Sequence, residues 1–520
     1  MAQLQVTDLT FTYEGSFDPV FENVSFNLDT DWKLGFIGRN GKGKTTFLNL
    51  LLGRYEYTGS IQSSTPFDYF PYQVTGAELE KTAAELAENW KSGVESWQIL
   101  IQLSQLQMDA ECLYRPFSTL SHGERTRIML AVLFAMENEF LLIDEPTNHL
   151  DAAARQIVKD YLKSKKGFIL VSHDRDLLDA VVDHVLVLNR QSIEVQAGNF
   201  TSWWENKEKK DAFAMAENEK HAKEIKKLQA AADRSSRWAE KNENTKIGFD
   251  PVKEPERNIS TRSYIGAKTK KMQARVKSYE KRVLREIGEK EGLLTDIEQV
   301  AGLKLNPMTY HKEILINARE LSLRYPGAEP LFEDTVFQIR RGDRLFLTGE
   351  NGCGKSSIIK AILQRAAERE SGEHGESSGA FGSAAVPEVS GTLEVGAGLV
   401  ISYINQDTSH LRGTLRDYCR EKGLEESLLL AVLRQLDFER GQFSKDMREF
   451  SEGQKKKVLV AASLITPAHL YIWDEPLNYI DVFSRMQIEE LILKFQPTML
   501  LVEHDIRFRE KVGTQELLLC

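Results

Sequence analysis

The chain has 520 residues, 41% of them hydrophobic and 28% charged, with a formal net charge of −10, so apolar content is ample for buried cores. No stretch approaches 18 consecutive apolar residues and no basic-then-apolar leader opens the chain. This excludes a membrane-spanning helix and a secretory signal and leads us to expect a cytoplasmic protein. The four cysteines (Cys112, Cys353, Cys419, Cys520) show neither paired nor zinc-type spacing, as expected of free thiols in a reducing compartment.

The first 200 residues open with strand-like alternation (Leu4, Val6, Leu9) followed by Tyr13. An apolar run, Leu34–Ile37, leads into Gly38-Arg39-Asn40-Gly41-Lys42-Gly43-Lys44-Thr45-Thr46. Glycines at this spacing let backbone N–H groups wrap a phosphate chain at a helix N-terminus. Lys44 then neutralises β/γ-phosphate charge, and Thr45 is a candidate Mg²⁺ ligand. Gln73 is placed to sense Mg²⁺ and the γ-phosphate. Further on come Ser121-His122-Gly123-Glu124, the apolar run Phe140–Ile143 ending on Asp144-Glu145, and the run Phe168–Val171 followed by His173. Asp144 at a strand end can hold Mg²⁺ through water, Glu145 can orient or deprotonate a water, and His173 can reach the γ-phosphate.

Residues 201–305 read differently. From about Trp204 to Lys241 the chain is charged, Ala-rich and free of Gly and Pro, with Ile225, Leu228, Ala232 and Ala239 at helical spacing. A helix of that length extends on the order of 55 Å. Met272, Val276, Tyr279, Val283 and Ile287 form a second seam, and Gly248, Pro251, Pro255 and Gly266 break the chain between them. This predicts an antiparallel helical hairpin with its tip near residues 245–266. Residues 201–300 hold 23 Lys/Arg against 18 Asp/Glu, and residues 257–290 hold 11 against 3 (Glu), while the rest of the chain is acidic. An acidic body with a basic middle suits a polyanionic partner such as RNA, with Lys246, Phe249 and Tyr264 as candidate contacts.

From 306 to 520 the first motif set recurs in the same order: Ile314, Ile316 and Leu321, then Tyr325, Leu345–Leu347, Gly349-Glu350-Asn351-Gly352-Cys353-Gly354-Lys355-Ser356-Ser357, Gln406, Ser451-Glu452-Gly453-Gln454, Asp474-Glu475 and His504. Ser356 and Gln406 repeat the candidate Mg²⁺ ligands. Matching motifs lie about 330 residues apart from the glutamines onward but 311 apart at the lysines. The difference falls on a Gly/Ser-rich tract, read as a flexible insertion at about 366–388. Short apolar strands alternating with helical segments predict two α/β domains with mostly parallel buried sheets.

The two Ser-x-Gly segments, together with two phosphate loops, make the chain resemble the ATP-binding-cassette superfamily. The resemblance implies head-to-tail cassettes with each ATP between the phosphate loop of one and the Ser-x-Gly segment of the other. Site one would pair Lys44, Gln73, Glu145 and His173 with Ser451 and Gly453. Site two would pair Lys355, Gln406, Glu475 and His504 with Ser121 and Gly123. Asp151 and Asp481 fit loops that cross the interface, and Tyr13 and Tyr325 the aromatic that stacks on adenine.

Two fused cassettes joined by a long charged hairpin further resemble the ABC-F family, whose members act on ribosomes. Gln73 to Ser121 spans 48 residues and leaves no room for the extra arm of some housekeeping members. The stretches Glu452–Lys457 and Trp473–Tyr479 resemble Lsa-type members of the antibiotic-resistance branch. That likeness implies an ATPase whose linker enters the ribosomal E site, beside P-site transfer RNA and large-subunit ribosomal RNA, and protects against lincosamides, streptogramin A and pleuromutilins. It also implies a monomer that pairs its own two cassettes. A drug-exporter ATPase with a separate membrane partner, a housekeeping ABC-F translation factor and a DNA-repair ATPase stay open as alternatives.

Overall fold

The computed structural model describes residues 3–15, 19–148, 150–189, 193–247, 307–350, 352–371, 387–436, 438 and 440–519, with a few positions between 274 and 285. The chain divides into two units, residues 1–201 with 301–520, and residues 202–300.

The first unit contains the same architecture twice. In the first half the strands are β1 (Gln3–Phe11), β2 (Phe21–Asp29), β3 (Lys33–Gly38), β4 (Thr58–Ser63), β5 (Phe67–Phe70), β6 (Phe140–Asp144), β7 (Phe168–Val171), β8 (His184–Leu188) and β9 (Ile193–Ala197). In the second half they are β10 (Ile314–Arg324), β11 (Pro330–Arg340), β12 (Arg344–Thr348), β13 (Glu388–Val395), β14 (Ile401–Ile404), β15 (Leu470–Asp474), β16 (Met499–Val502) and β17 (Gln515–Leu518). Each half pairs a three-stranded antiparallel sheet (β2-β1-β4 or β11-β10-β13) with a mostly parallel one. The parallel orders are β5-β6-β7-β3-β8-β9, with β9 antiparallel, and β14-β15-β16-β12-β17.

The central strands are continuous apolar runs because both faces are covered. Phe140, Leu142, Ile143, Phe168, Ile169 and Leu170 are fully buried, as are Tyr471, Ile472, Trp473, Leu500 and Leu501. In the antiparallel sheets only one face is covered, and Leu4, Val6 and Leu9 alternate inward. In β10 Ile316 and Leu321 are also buried, though within a run where Leu315 to Ala318 are all covered, whereas Ile314, expected beside them, stands 40% exposed at the sheet's end. Stacking β6, β7 and β3 side by side brings Asp144, Glu145, His173 and the loop after Gly38 to one edge, the carboxyl ends of the strands.

The insertion expected at about 366–388 falls largely outside the described residues. The helix Lys355–Ser371 runs through Ala366, and β13 starts at Glu388. Residues 372–386 lie outside the described residues. In the second unit, the helix Phe200–Ile247 has 48 residues, longer than the run read from the sequence, because no Gly or Pro interrupts it until Gly248. On it Ile225 is buried and Leu228 half-buried, while the side chains of Ala232 and Ala239, expected on the same seam, lie outside the described residues. Tyr279, expected on the second seam, is 42% exposed, which a phenol tolerates by keeping its hydroxyl in water. The expected tip beyond Ile247, with Phe249 and Tyr264, lies outside the described residues, and nothing is described of the Lys246 side chain.

The two halves of the first unit are tied by a buried charge cluster. Arg175, on the helix Arg175–Val181, is bidentate to Glu489, on the helix Val482–Phe495. Lys511 also reaches Glu489 at 3.2 Å, and Asp505 lies 3.9 Å from Arg175. Glu489 is wholly buried and Arg175 is 5% exposed. A pair this deep contributes little net stability, but breaking it strands a charge. Arg175→Ala is therefore expected to lower the unfolding free energy in urea by about 3 kcal/mol, and Arg175→Met with Glu489→Leu to recover most of that loss.

Candidate functional site

Two cavities lie between the halves of the first unit. The smaller, about 330 Å³, is lined by Asn40, Gly41, Lys44, Thr45, Asp144, Glu145 and His173 of the first half and by Ser451, Gly453 and Tyr479 of the second. The larger, about 940 Å³, is lined by Tyr325, Gly352, Gly354, Lys355, Ser356, Ser357, Gln406, Glu475 and His504 of the second half and by Ser121, Gly123 and Asp151 of the first. Both volumes fall in the range of small-molecule sites. We call them site one and site two.

The loop after β3 is shaped by glycine. Gly43 stands at φ 109° as the cap of the helix Lys44–Leu51, and a Cβ there would come 2.6 Å from Val20 Cγ1. The Lys44 ammonium donates to Gly38 O (2.6 Å), Arg39 O (3.2 Å) and Asn40 Oδ1 (3.3 Å). Its burial lowers its pKa, opposed by Asp481, Glu145 and Asp144. Lys355 curls in the same way onto Gly349 O and Glu350 O. Helix N-terminal amides and a buried ammonium in one concavity form a phosphate-binding cradle. Beside it, Tyr13 donates to or accepts from Thr46 Oγ1 at 2.6 Å, and Tyr325 pairs with Ser357 Oγ at 3.1 Å. Tyr13 keeps 42% of its surface exposed and lies outside the lining of site one, whereas Tyr325 lines site two.

The Ser-x-Gly segments follow from helix capping. Ser451 caps the helix Glu452–Ile465 by accepting from Gln454 N (3.3 Å), while Gln454 Oε1 accepts from Ser451 N (2.9 Å). Ser121 and Glu124 form the same box on the helix His122–Leu133. Each serine thus marks a helix N-terminus that faces the other half's phosphate loop across a cavity. At site one the halves touch directly, Asn40 Nδ2 donating to Tyr479 O at 2.6 Å.

Glu145 and Glu475 both adopt left-handed backbone, at φ 51° and 49°. Their amides are held by Val171 O (2.9 Å) and Val502 O (3.0 Å) of the neighbouring strands. A glutamate in this region is strained, and such strain persists where surrounding structure enforces it. Each glutamate lies 3.4 Å from a histidine Nε2, Glu145 from His173 and Glu475 from His504. Burial, then the Asp144 charge, pushes Glu145 up to about 8, and burial holds His173 well below its ordinary value. Burial also raises Asp144 and Asp474.

Thr45 Oγ1 donates to Asp144 Oδ2 (3.0 Å) and Ser356 Oγ to Asp474 Oδ2 (2.9 Å). Among the described residues Asp474 Oδ1 is buried without a hydrogen-bond partner, as is Glu145 Oε1. An orphaned carboxylate oxygen beside a hydroxyl is a hard-oxygen donor set, and it fits a divalent cation such as Mg²⁺.

Of the residues singled out from sequence, most line the two cavities. Asn351 lies outside the described residues. Gln406 lines site two and donates to Glu475 Oε2 at 2.8 Å. Its counterpart departs from expectation, for Gln73 is exposed and outside the lining of site one. The neighbouring Tyr72 explains this: its ring stacks on Trp90 and its hydroxyl donates to Asp68 (2.7 Å), holding the segment to the helical part of its own half.

Sequence reasoning used Lys456 and Lys457 only as part of a family likeness and gave neither them nor Arg485 or Glu503 a place in a site. Lys457 lines site one and pairs with Asp481 at 2.9 Å. Although burial would raise it, Asp481 is held far below the usual carboxylate range by Lys457 and by the Ser484 amide. The run Lys455-Lys456-Lys457, unusual just after a helix start, was the available signal.

A protein-family model described as ABC transporter matches residues 21–148 and 332–478, once in each half. The chain is 26% identical over 527 aligned residues to the ribosome protection protein VmlR of Bacillus subtilis (strain 168), covering 99% of this chain and 86% of that protein. It is also 26% identical to the ATP-binding protein Uup of Caulobacter vibrioides, covering 96% of this chain and 75% of that protein. The probable ATP-binding protein YheS of Escherichia coli (strain K12) stands at 26% as well, covering 94% and 74%. Among solved structures, the fold is similar to that in the crystal structure of the complex of archaeal ribosomal stalk protein aP1 and archaeal ribosome recycling factor aABCE1. The TM-score is 0.59 and the identity 17%, covering 98% of this chain and 87% of that one.

The raised Glu145 carboxyl has a signed consequence. Unfolded, it ionises from its ordinary 4.5; folded, it keeps its proton to about 8. Its contribution to stability is complete below the lower value and declines by about 1.4 kcal/mol per pH unit through that window. In nucleotide-free protein with chelator, Glu145→Gln is therefore expected to gain in urea stability relative to the parent from pH 5 to pH 8. A constant difference across that range contradicts the assignment.

Proposed function

We propose, from the premise that this chain belongs to the ABC transporter family and is an ABC-F-type ATP-binding protein with two cassettes in one polypeptide, that it hydrolyses ATP at two composite sites and acts on the ribosome. The observation that carries the ATPase reading is the pairing, in both cavities, of one cassette's phosphate loop with the other's Ser-x-Gly helix.

In this reading the loop amides and Lys44 or Lys355 hold the β- and γ-phosphates. Ser451 or Ser121, with its helix N-terminus, meets the γ-phosphate from the opposite side. ATP then closes the cassettes because its phosphate chain is the shared ligand of two half-sites. Glu145 and Glu475 orient the attacking water and, in their ionised form, take its proton, and His173 and His504 stand beside them at the γ-phosphate. Loss of the γ-phosphate removes the trans contact and lets the halves part. Mg²⁺, bound with ATP, would be held by Thr45 with Asp144 and by Ser356 and Gln406 with Asp474, and supplies charge neutralisation of the phosphates. Tyr13 and Tyr325 are proposed to stack on adenine.

Two facts support a ribosomal partner. The relative VmlR is a ribosome protection protein, and residues 257–290 of this chain carry 11 Lys/Arg against 3 Glu, suited to phosphate contacts. The finer proposal is cytoplasmic protection of the peptidyl-transferase centre by a monomer. The linker, with Lys246, Phe249 and Tyr264, enters the E site beside P-site transfer RNA and large-subunit ribosomal RNA. The drugs antagonised are lincosamides, streptogramin A and pleuromutilins. Equal identity to Uup and YheS, which are named only as ATP-binding proteins, is equally compatible with the second reading, a housekeeping ABC-F translation factor without a drug role. Among the described residues no helix is long and apolar enough to cross a membrane.

The double variant Glu145→Gln/Glu475→Gln is expected to lose ATP turnover by about 100-fold or more and to co-sediment with ribosomes in ATP. Sedimentation free of ribosomes contradicts the ribosomal reading. In translation extracts stalled by clindamycin, tiamulin or virginiamycin M, the parent protein is expected to restore synthesis. Failure with all three drugs leaves the translation-factor reading.

A further inference from the structure

The two cassettes differ at the buried position just before the histidine of each ATP site. In the first cassette the residue before His173 is Ser172, whose hydroxyl accepts from Asp174 N at 3.1 Å. The His173 amide there donates to Glu145 Oε2 itself, at 3.4 Å. In the second cassette the residue before His504 is Glu503, 5% exposed. Its Oε2 accepts from the His504 amide (3.2 Å) and its Oε1 from the Leu477 amide (2.8 Å). Glu475 Oε2 accepts instead from Gln406 Nε2 and Asn478 Nδ2, both at 2.8 Å.

A carboxylate at this depth needs compensation. Burial pushes the Glu503 carboxyl above its ordinary value, and Arg485 and the Leu477 amide oppose that push. Arg485 is anchored to Ile480 O (2.9 Å) and Asp505 (3.1 Å). Lys456, 3% exposed, adds a second cation near Glu503, Glu475 and Asp474. Its ammonium donates to Gln406 O (2.9 Å) and Asn405 O (3.2 Å), fixing the segment that presents Gln406. At the matching positions the first cassette has neutral Thr126 and Ser172. The extra anion and cation therefore arrive together and only in the second cassette.

We infer that Glu503 is a positioning residue for hydrolysis at site two: by taking the His504 amide it leaves Glu475 aligned by Gln406 and Asn478, and through Leu477 it ties that alignment to the loop that closes site one. The loop running from Leu477 carries Tyr479, whose carbonyl accepts from Asn40, and Asp481, which pairs with Lys457 in the wall of site one. One carboxylate thus bridges the histidine of one site and the closing loop of the other. The inference rests on the reading of Glu475 as the residue that activates water.

The test uses the full chain carrying Glu145→Gln, so that turnover reports site two. Adding Glu503→Ser, the residue of the first cassette, is expected to lower kcat at least 10-fold while the ATP concentration for half-maximal rate changes less than 2-fold. Glu503→Gln is isosteric, but its carbonyl can accept from only one of the two amides. It is expected to lower kcat severalfold, again with half-saturation unchanged, and it decides the matter should the serine variant melt below the assay temperature. A kcat within 2-fold of the parent for the folded variants, or a loss confined to half-saturation, overturns the inference. Adding Glu475→Gln in the same background separates the two levels. If that change leaves turnover intact, the reading of Glu475 fails; if it abolishes turnover while Glu503 variants are unaffected, only the inference about Glu503 fails.

Discussion

A Cβ placed on Gly453 would lie 2.7 Å from the Tyr479 carbonyl and 3.3 Å from the Asn40 amide nitrogen of the other cassette. The first distance is closer than any side-chain carbon can approach a backbone oxygen without displacing it. Tyr479 belongs to the same cassette as Gly453, so the glycine first lets the loop through Tyr479 lie directly on the helix that begins at Ser451. That loop carbonyl then accepts from Asn40 of the first cassette at 2.6 Å, and the two half-sites line one cavity. At the matching Gly123 the nearest atoms are Leu150 Cδ2 at 3.7 Å and Ala154 Cβ at 3.9 Å, ordinary contacts, and site two is correspondingly roomier.

The two sites thus share a plan and differ in tightness and charge. Site one is lined by Lys457, which pairs with Asp481 behind it, and its half-buried Glu145 stands beside Asp144 and a histidine held neutral. Site two keeps Gln406 on Glu475 and surrounds that glutamate with a buried anion and cation that the first cassette lacks. The ion pair of Arg175 with Glu489 joins the halves near both histidines, since Arg175 lies two residues after His173 and Asp505 follows His504. Changes at either histidine loop therefore have a short buried route to the other.

Much of this was legible in the sequence because phosphate binding imposes residue types at fixed spacing. Glycines admit the backbone of the loop, a lysine neutralises charge, and carboxylates and histidines fall just past apolar strands. Those constraints pointed to both loops, while the pairing of halves came from the resemblance to ATP-binding-cassette proteins. Most of the helix Phe200–Ile247 was legible too, as the charged Ala-rich run from about Trp204 to Lys241, but its further extent to both sides was not read. Other features left no local trace. The Asn40 partner is a backbone carbonyl 439 positions away, which no side-chain pattern encodes. Arg175 and Glu489 are 314 positions apart, and each alone looks like a surface charge. Gln73 was misplaced because its position depends on Tyr72 stacking over Trp90, a contact between two aromatics of no fixed spacing. Glu503 went unremarked because a glutamate beside a histidine acquires meaning only once its burial is known.

The account stands on each ATP being held from both sides. An experimental structure of the double variant Glu145→Gln/Glu475→Gln with ATP and Mg²⁺ measures this directly. The account predicts two nucleotides, one with its γ-phosphate within hydrogen-bonding distance of Ser451 Oγ and the Lys44 ammonium, the other bridging Ser121 Oγ and Lys355. Nucleotide contacting the phosphate loops alone, with both serines out of reach in closed cassettes, would contradict it.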